Sequence, residues 1–426
     1  MKIVTRDYFT KSYLKKCQES FIDPSIEQKV GEILREVRRY KDRAVLKYTY
    51  QFDHVRLAPA KLAVQSKEFE DARKVVSKEF VETFKAIEKN IRRYQKELLP
   101  KDWIKNYPGK TKLGALYRPI DRVGVYIPGG TAPLVSTVLM TVIPAKVAGV
   151  KEVIVTTPPN KEGKINPYIL AACELSEVSQ VFRVGGAQAI AAMAFGTETI
   201  SKVDKIVGPG NIYVASAKRQ VYGFVGIDMV AGPSEVLILA DESANPKYVA
   251  ADLLAQAEHD VRARTFLVTT SQTLAESVSR EVEIQIQSLT RSSTAHESIR
   301  YHGFIVVVDD LDEAVDLANE IAPEHLEILC KNSGDILPKI RNAGAVFLGE
   351  STPEPVGDYV AGPSHVLPTG GTARFFSPLS SRDFIKSMSY LEYNRTGLKK
   401  ELEWIQLMAS VEGLDAHRKS SEIRFS

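Results

Sequence analysis

Residues 205–221 read Lys-Ile-Val-Gly-Pro-Gly-Asn-Ile-Tyr-Val-Ala-Ser-Ala-Lys-Arg-Gln-Val. A short β-branched run, 205–207, enters a glycine loop, 208–213, and leaves it as a helix over 214–221. A strand–glycine–helix passage turns backbone N–H groups toward whatever fills the loop, which suits a phosphate or a ring edge. Two other stretches have this form. Val123-Gly-Val-Tyr-Ile-Pro-Gly-Gly130 runs from a strand into a loop, and Gly185-Gly-Ala-Gln-Ala-Ile190 opens a small-residue helix after another strand. None of them is G-x-G-x-x-G, so the standard dinucleotide fingerprint is absent. Pro108-Gly-Lys-Thr111 resembles the end of a phosphate loop, but Ile104 stands where its first glycine belongs.

Further strands are expected at 152–157, 178–184, 236–239, 266–270, 304–308 and 345–348, each set off by a helical or glycine-rich segment. Such alternation predicts an α/β fold of parallel sheets with helices on both faces. The first hundred residues are rich in Lys, Arg and Glu at helical spacing. Val30, Ile33, Leu34 and Val37 form the apolar stripe of an amphipathic helix over 26–48. A helical tail is expected over 393–417. At 426 residues the chain exceeds a single typical core, so two or three domains are expected.

Lys plus Arg number 56 and Asp plus Glu 53, a net charge of +3. That balance argues against a nucleic-acid partner, which a basic excess or patch would signal. Cys17, Cys173 and Cys330 are odd in number and far apart, which excludes a disulfide framework and suits a reducing cytoplasm. The N-terminus is repeatedly charged and does not read as a signal peptide. Residues 123–145 are uncharged and long enough to span a bilayer. They contain Pro128, Gly129, Gly130, Pro133 and Pro144, and read as strand, loop and buried helix, so no membrane segment is expected.

Four polar clusters lie far apart in the chain: Gln256-Ala-Glu-His259, Pro323-Glu-His325, Gly357-Asp-Tyr359 and Glu412-Gly-Leu-Asp-Ala-His417. They hold three of the seven histidines, and His365 follows Asp358 by seven residues. Imidazoles and carboxylates gathered by folding make metal sites or acid–base sites. Asn245 and Pro246 suit the start of a helix over 245–260, which would put Gln256 and His259 on one face. With Asp358 and His417 they form an N/O donor set suited to zinc, and less selectively to manganese or cobalt. The plainer reading is a helix end with His259 at the negative pole of its dipole. Glu324 and His325 lie between a helical pattern, 311–321, and an apolar run, 326–329. They are either two proton-transfer groups or an exposed loop pair.

Taken together, these motifs resemble the histidinol dehydrogenase family. The resemblance is carried, in order, by 126–130, 185–190, 208–211, Asp228-Met-Val-Ala-Gly-Pro-Ser-Glu235, 256–259, 324–326, 357–359, Ser364-His-Val-Leu-Pro368 and 412–417, nearly the whole chain. It implies two Rossmann-like parallel-sheet domains. The division expected is an N-terminal helical segment, 1–25, a discontinuous first domain, 26–125 and 236–380, an inserted second domain, 126–235, and a C-terminal helical tail, 381–426. It further implies a homodimer whose tail reaches the partner's active site, and oxidation of L-histidinol to L-histidine through histidinaldehyde with two NAD+. By the same resemblance Gln256, His259, Asp358 and His417 hold one Zn2+ per subunit. His325 takes the alcohol proton, and Glu324 activates water. Ser234, His365 and Glu412 join His325 and the metal ligands as substrate contacts, and Tyr126, Gln188 and Asn211 contact the cofactor. Two other readings stay open: a relative oxidising another small alcohol, and a zinc hydrolase or metal-binding protein. A hydrolase needs no nicotinamide, and a pure binder needs no Glu324-His325.

Overall fold

The computed structural model describes residues 1–15, 22–129 and 134–426; Cys17, Gly130 and Pro133 lie outside the described residues. The predicted α/β alternation is present as two parallel sheets. One has six strands in the order Lys2–Thr5, Gly303–Val307, Arg264–Thr269, Glu235–Ala240, His325–Leu329 and Ala345–Leu348. Its central strand, Glu-Val-Leu-Ile-Leu-Ala, is buried at every position, the continuous apolar run required when helices cover both faces. Val236 pairs with both Thr265 and His325, so His325 sits at the N-terminal edge of this sheet.

The other parallel sheet has five strands in the order Gln180–Arg183, Glu152–Thr157, Arg122–Tyr126, Lys205–Val207 and Gly226–Ile227. The order reverses at Arg122–Tyr126, whose two neighbours are reached by connections running in opposite directions. Open α/β sheets bind ligands outside the carboxyl ends of the strands at such a reversal.

The structure departs from the expected division in three places. The segment 1–25 opens with an edge strand, Lys2–Thr5, in the six-stranded sheet. Only four residues long and mostly exposed, it left no hydrophobic pattern to read. Residues 26–125 were expected with that same sheet. Instead the long helix Pro24–Asp53 sets Val30, Ile33, Leu34 and Val37 against Ile154, Phe182 and Ile190 of the five-stranded unit. Phe84 and Ile91 of Lys78–Glu97 likewise pack with Val123 and Val138. The apolar stripes were legible but not their destination. The strand Arg122–Tyr126 also begins this sheet before residue 126. Finally, residues 381–426 are not all helical: Ile385–Glu392 pairs antiparallel with Thr111–Pro119, which also pairs with Trp103–Tyr107. That sheet is mostly exposed, so no hydrophobic alternation announced it. Pro108-Gly-Lys is its hairpin turn, with Gly109 and Lys110 at positive φ.

The tail proper is a helical hairpin, Arg395–Val411 and Asp415–Glu422. No helix among the described residues is long and apolar enough to cross a membrane.

Candidate active site

Glu324 and His325 are placed by the end of the helix Leu311–Ile321. Ala322 adopts a left-handed conformation there and Pro323 cannot continue the helix, so the chain enters the strand His325–Leu329 at once. Both side chains are buried, at 5% and 3% exposure, which removes the exposed-loop alternative. Gly344 makes this packing possible, since a Cβ there would lie 2.5 Å from the Glu324 carbonyl oxygen. Glu324 Oε2 accepts the backbone N–H of Glu235 at 2.9 Å, and His325 Nδ1 faces the Glu235 carbonyl oxygen at 3.2 Å. His325 Nε2 has no hydrogen-bond partner among the described residues and stands 3.5 Å from Asp358 and 3.9 Å from Glu354.

Gln256 occupies the last turn of Pro246–Ala257, which starts as predicted: Asn245 accepts the Lys247 N–H at 3.0 Å. The helix stops at Ala257, short of the expected 260, because the chain must turn into the strand Arg264–Thr269. His259 therefore lies in the turn, its N–H donating to the Gln256 carbonyl at 3.2 Å, rather than on the helix face. Ligand atoms of His259, Glu354 and Asp358 all fall within 4.8 Å of one another. Three of the four expected metal ligands thus belong to one neighbourhood, together with Glu354, which sequence reasoning missed. Its one signal was its place four residues before Asp358 in Glu354-Pro-Val-Gly-Asp358.

His365 Nε2 lies 3.2 Å from Ser136 Oγ, and Ser364 Oγ donates to the Met140 carbonyl at 3.0 Å. These contacts dock the segment carrying Asp358 and His365 onto the helix Val135–Ala148 of the five-stranded unit. A cavity of about 630 Å³ opens here, lined by Asp358, His365, Phe347 and Tyr94. Ser234 precedes the strand Glu235–Ala240 at the same sheet edge as His325. Glu412 and His417 are elsewhere: both are exposed on the tail hairpin, lining a shallow groove with Trp404 and Met408. Neither belongs to the group formed by His259, Glu354 and Asp358 among the described residues.

The electrostatics are those of a crowded, dry acid cluster. Burial raises the Glu324 carboxyl to about 8 and the Glu354 carboxyl to about 7. Burial opposes charging of His325, but Glu354, Glu324 and Asp358 outweigh it and hold its pKa well above the usual value. Burial likewise opposes ionisation of Asp358, and His325, His365 and His259 outweigh it, so this carboxyl lies below its usual range. His259 has an exposed edge, yet the protein packed around the ring lowers its pKa and favours the neutral, ligating form. Behind Glu354, the wholly buried Glu327 accepts the Glu354 N–H at 3.0 Å. Burial, with Asp252 and Glu354 adding to it, lifts Glu327 to about 9.

Tyr126, Gln188 and Asn211 meet at the carboxyl ends of the five-stranded sheet, around a cavity of about 870 Å³ that Gly129, Pro158, Gly186 and Asp53 also line. Tyr126 Oη accepts the Gly186 N–H at 3.1 Å. Asn211 caps the helix Ile212–Val221, accepting from Tyr213 and Val214 at 3.0 and 3.1 Å, so its capping role is filled in full. Gln188 is buried and its Oε1 has no hydrogen-bond partner among the described residues. The loop at 208 is clamped by a buried ion pair: Asp228 accepts the Gly208 N–H at 2.8 Å, Lys218 donates to the Gly208 carbonyl at 3.0 Å, and the two side chains pair with each other. Gly208 has φ +113°, and a Cβ there would lie 2.3 Å from the Tyr126 carbonyl oxygen.

The family model described as histidinol dehydrogenase matches residues 17–425. A histidinol dehydrogenase of Bacillus cereus is 50% identical over 95% of this chain and 94% of its own. One of Caldanaerobacter subterraneus is 51% identical over 94% and 93%. The chain belongs to the histidinol dehydrogenase family. It is an oxidoreductase of histidine biosynthesis, as the family is. The crystal structure of histidinol dehydrogenase from Elizabethkingia anophelis superposes with a TM-score of 0.94 at 37% identity, covering 100% of this chain and 98% of that one. A probable aldehyde dehydrogenase of Listeria monocytogenes shares the fold alone, with a TM-score of 0.51 at 11% identity over 89% and 94%.

Proposed function

We propose that this protein carries out the NAD-dependent, zinc-requiring four-electron oxidation of L-histidinol to L-histidine by way of L-histidinaldehyde. The observation that carries this proposal is the placement of two buried proton-transfer groups, Glu324 and His325, beside the donors His259, Asp358 and Gln256. Those donors fit a zinc ion: they are nitrogen and oxygen atoms, and His259, Glu354 and Asp358 converge within 4.8 Å. The cavity at Tyr126 fits a dinucleotide, since it lies at the sheet's strand-order reversal and offers the unpartnered Gln188 carboxamide oxygen.

A zinc ion held by Gln256, His259, Asp358 and His417 would supply a template that orients the substrate, and NAD+ held near Tyr126, Gln188 and Asn211 would supply the hydride acceptor for each oxidation. His325 does the first proton transfer. Its raised pKa makes it a strong base once the ring has given up its proton: with Nδ1–H directed at a carbonyl oxygen, the Nε2 lone pair of the neutral ring takes the hydroxyl proton as the C–H hydride leaves. Glu324, in its ionised form, then takes a proton from the water that adds to the aldehyde while protonated His325 returns its proton to the carbonyl oxygen, giving the hydrate that the second oxidation needs. His365 and Ser234 bound the substrate from either side. Glu412 and His417 complete the site from the partner subunit in a homodimer; their exposure beside Trp404, Leu407 and Val411 supports a tail that packs elsewhere than on its own chain. A cytoplasmic setting suits Cys173 and Cys330, both free and buried.

The test is NADH formation by the zinc-loaded protein with L-histidinol and other amino alcohols. Two NADH per histidinol consumed is expected. A ratio of one with aldehyde accumulating would refute the two-step assignment, and turnover of another alcohol in preference to histidinol would favour the relative with different specificity.

A further inference from the structure

Gln256 lies at 1% exposure and Glu354 at 2%, with their side-chain ends in contact. One terminal amide atom of Gln256 is 3.0 and 3.2 Å from the two Glu354 carboxylate oxygens. The atom faces both Glu354 oxygens, at least one of which can only accept whether or not the carboxyl is protonated, so it is the amide nitrogen, donating to Glu354. The carboxamide oxygen is then turned away from Glu354. This matters because an amide ligates a hard or borderline metal through its oxygen, and a buried carboxamide can be inserted either way round. Glu354 is itself held in place, its backbone N–H donating to Glu327 at 3.0 Å.

We propose that Glu354 is a positioning residue of the metal site, fixing the Gln256 carboxamide with its oxygen toward the ion held by His259 and Asp358. This deepens the zinc reading and rests on it. A glutamine at 354 would keep one acceptor oxygen for Gln256 but lose the charge. An alanine, or the equally bulky methionine, would leave the Gln256 N–H2 without a partner and the carboxamide free to invert. The rival role for Glu354 is direct ligation, since its oxygen stands within 4.8 Å of the donors of His259 and Asp358.

The experiment loads the full-length protein with Co2+ and reads both its visible absorption and the metal affinity by chelator competition. Wild type, E354Q, E354A, Q256E and the Q256E/E354A pair are compared, with E354M replacing E354A if the alanine variant does not fold. E354A should lose affinity about 10- to 100-fold, the usual cost of removing a residue that orients a ligand. E354Q should stay within about fivefold of wild type with the same absorption bands, because only charge assistance is lost. A carboxylate at 256 has two equivalent oxygens and needs no orienting. In the Q256E background E354A should therefore cost nothing, or raise affinity by relieving repulsion.

Wild-type affinity and spectrum in E354A would overturn the proposal. So would E354Q as damaging as E354A with shifted bands, which would make Glu354 a ligand. An equal loss from E354A in both backgrounds would reduce it to general structural support. Failure of the wild-type protein to bind either zinc or cobalt would instead sink the underlying metal reading.

Discussion

His325 Nδ1 lies 3.2 Å from the backbone carbonyl oxygen of Glu235, and this contact decides which ring nitrogen is free for chemistry. A carbonyl oxygen accepts only, so the neutral ring carries its hydrogen on Nδ1 and its lone pair on Nε2. The N–H of the same Glu235 donates to Glu324 at 2.9 Å. One residue of the central strand therefore orients both the Glu324 carboxyl and the His325 ring through its two backbone groups, with no side chain that a substitution could remove.

Division of labour follows from that arrangement. His325→Asn should slow histidinol oxidation by about 10²- to 10⁴-fold, the range for loss of a general base. Glu324→Gln should more selectively slow oxidation of supplied histidinaldehyde. Stopped-flow NADH formation from each substrate separates the steps. Intact aldehyde oxidation in Glu324→Gln, with histidinol oxidation impaired, would reverse the roles.

The Gln188 carboxamide oxygen has no partner among the described residues and lies on the wall of the larger cavity. Gln188→Ala should raise KM for NAD+ about three- to tenfold, the worth of one uncharged hydrogen bond, and leave KM for histidinol unchanged. Gly208→Ala should act more severely and on folding, because its Cβ would collide with the Tyr126 backbone at a φ that alanine resists. Steady-state kinetics and thermal melts tell the two effects apart.

How far the sequence could be read depended on what each residue touches. Short apolar runs announce parallel strands, and 152–157, 205–207 and 345–348 coincide with the strands found, although the last is an edge strand with only Phe347 buried. The exposed antiparallel sheet and the edge strand Lys2–Thr5 bury too little to leave a pattern. The pair Glu324-His325 was legible from its junction between a helix and an apolar run. Glu354 was not, because its role comes from contacts with Gln256 and Glu327, which lie 98 and 27 residues away in the chain. Charge alone gave no reason to choose it from the chain's 53 acidic residues. The helix Pro24–Asp53 shows the converse: its apolar face was plain, but periodicity carries no address for the partner sheet.

Burial holds Glu327 at about 9, far above its unfolded value near 4.5, and this makes metal-free stability depend on pH. Below pH 4.5 both states are protonated and the contribution of Glu327 is intact. As pH rises from there toward 9, the unfolded chain ionises while the folded carboxyl must stay neutral or pay for charge in a dry site, so stability is lost. Asp252, raised by burial to about 6, acts in the same direction at lower pH. Glu327→Gln keeps an acceptor for the Glu354 N–H and cannot ionise. In chelator, it should melt at least about 1 °C above wild type at pH 8, the shift that about 1 kcal/mol produces in a chain of 426 residues, with a smaller gain at pH 5. A difference that shrinks as pH rises would contradict the argument.

The position of His417 gives the strongest test of assembly. Within one chain His417 and Glu412 are exposed on a hairpin whose groove is lined by Trp404 and Met408, while His259 and Asp358 lie with Glu354 at the edge of the six-stranded sheet. If the tail serves a second subunit, each active site takes His259 from one chain and His417 from the other. Chains carrying His259→Ala and chains carrying His417→Ala should each be inactive as homodimers. A heterodimer of the two would hold one site with both lesions and one with neither, as two-fold symmetry requires. Activity should therefore return on subunit exchange, to about half the wild-type level per heterodimer. It should do so together with tight binding of one zinc in place of two, which guards against a mere gain in folding yield. Verified heterodimers that stay inactive would place all four ligands on one chain, and the exposed hairpin would then have to fold back onto its own body when the metal binds.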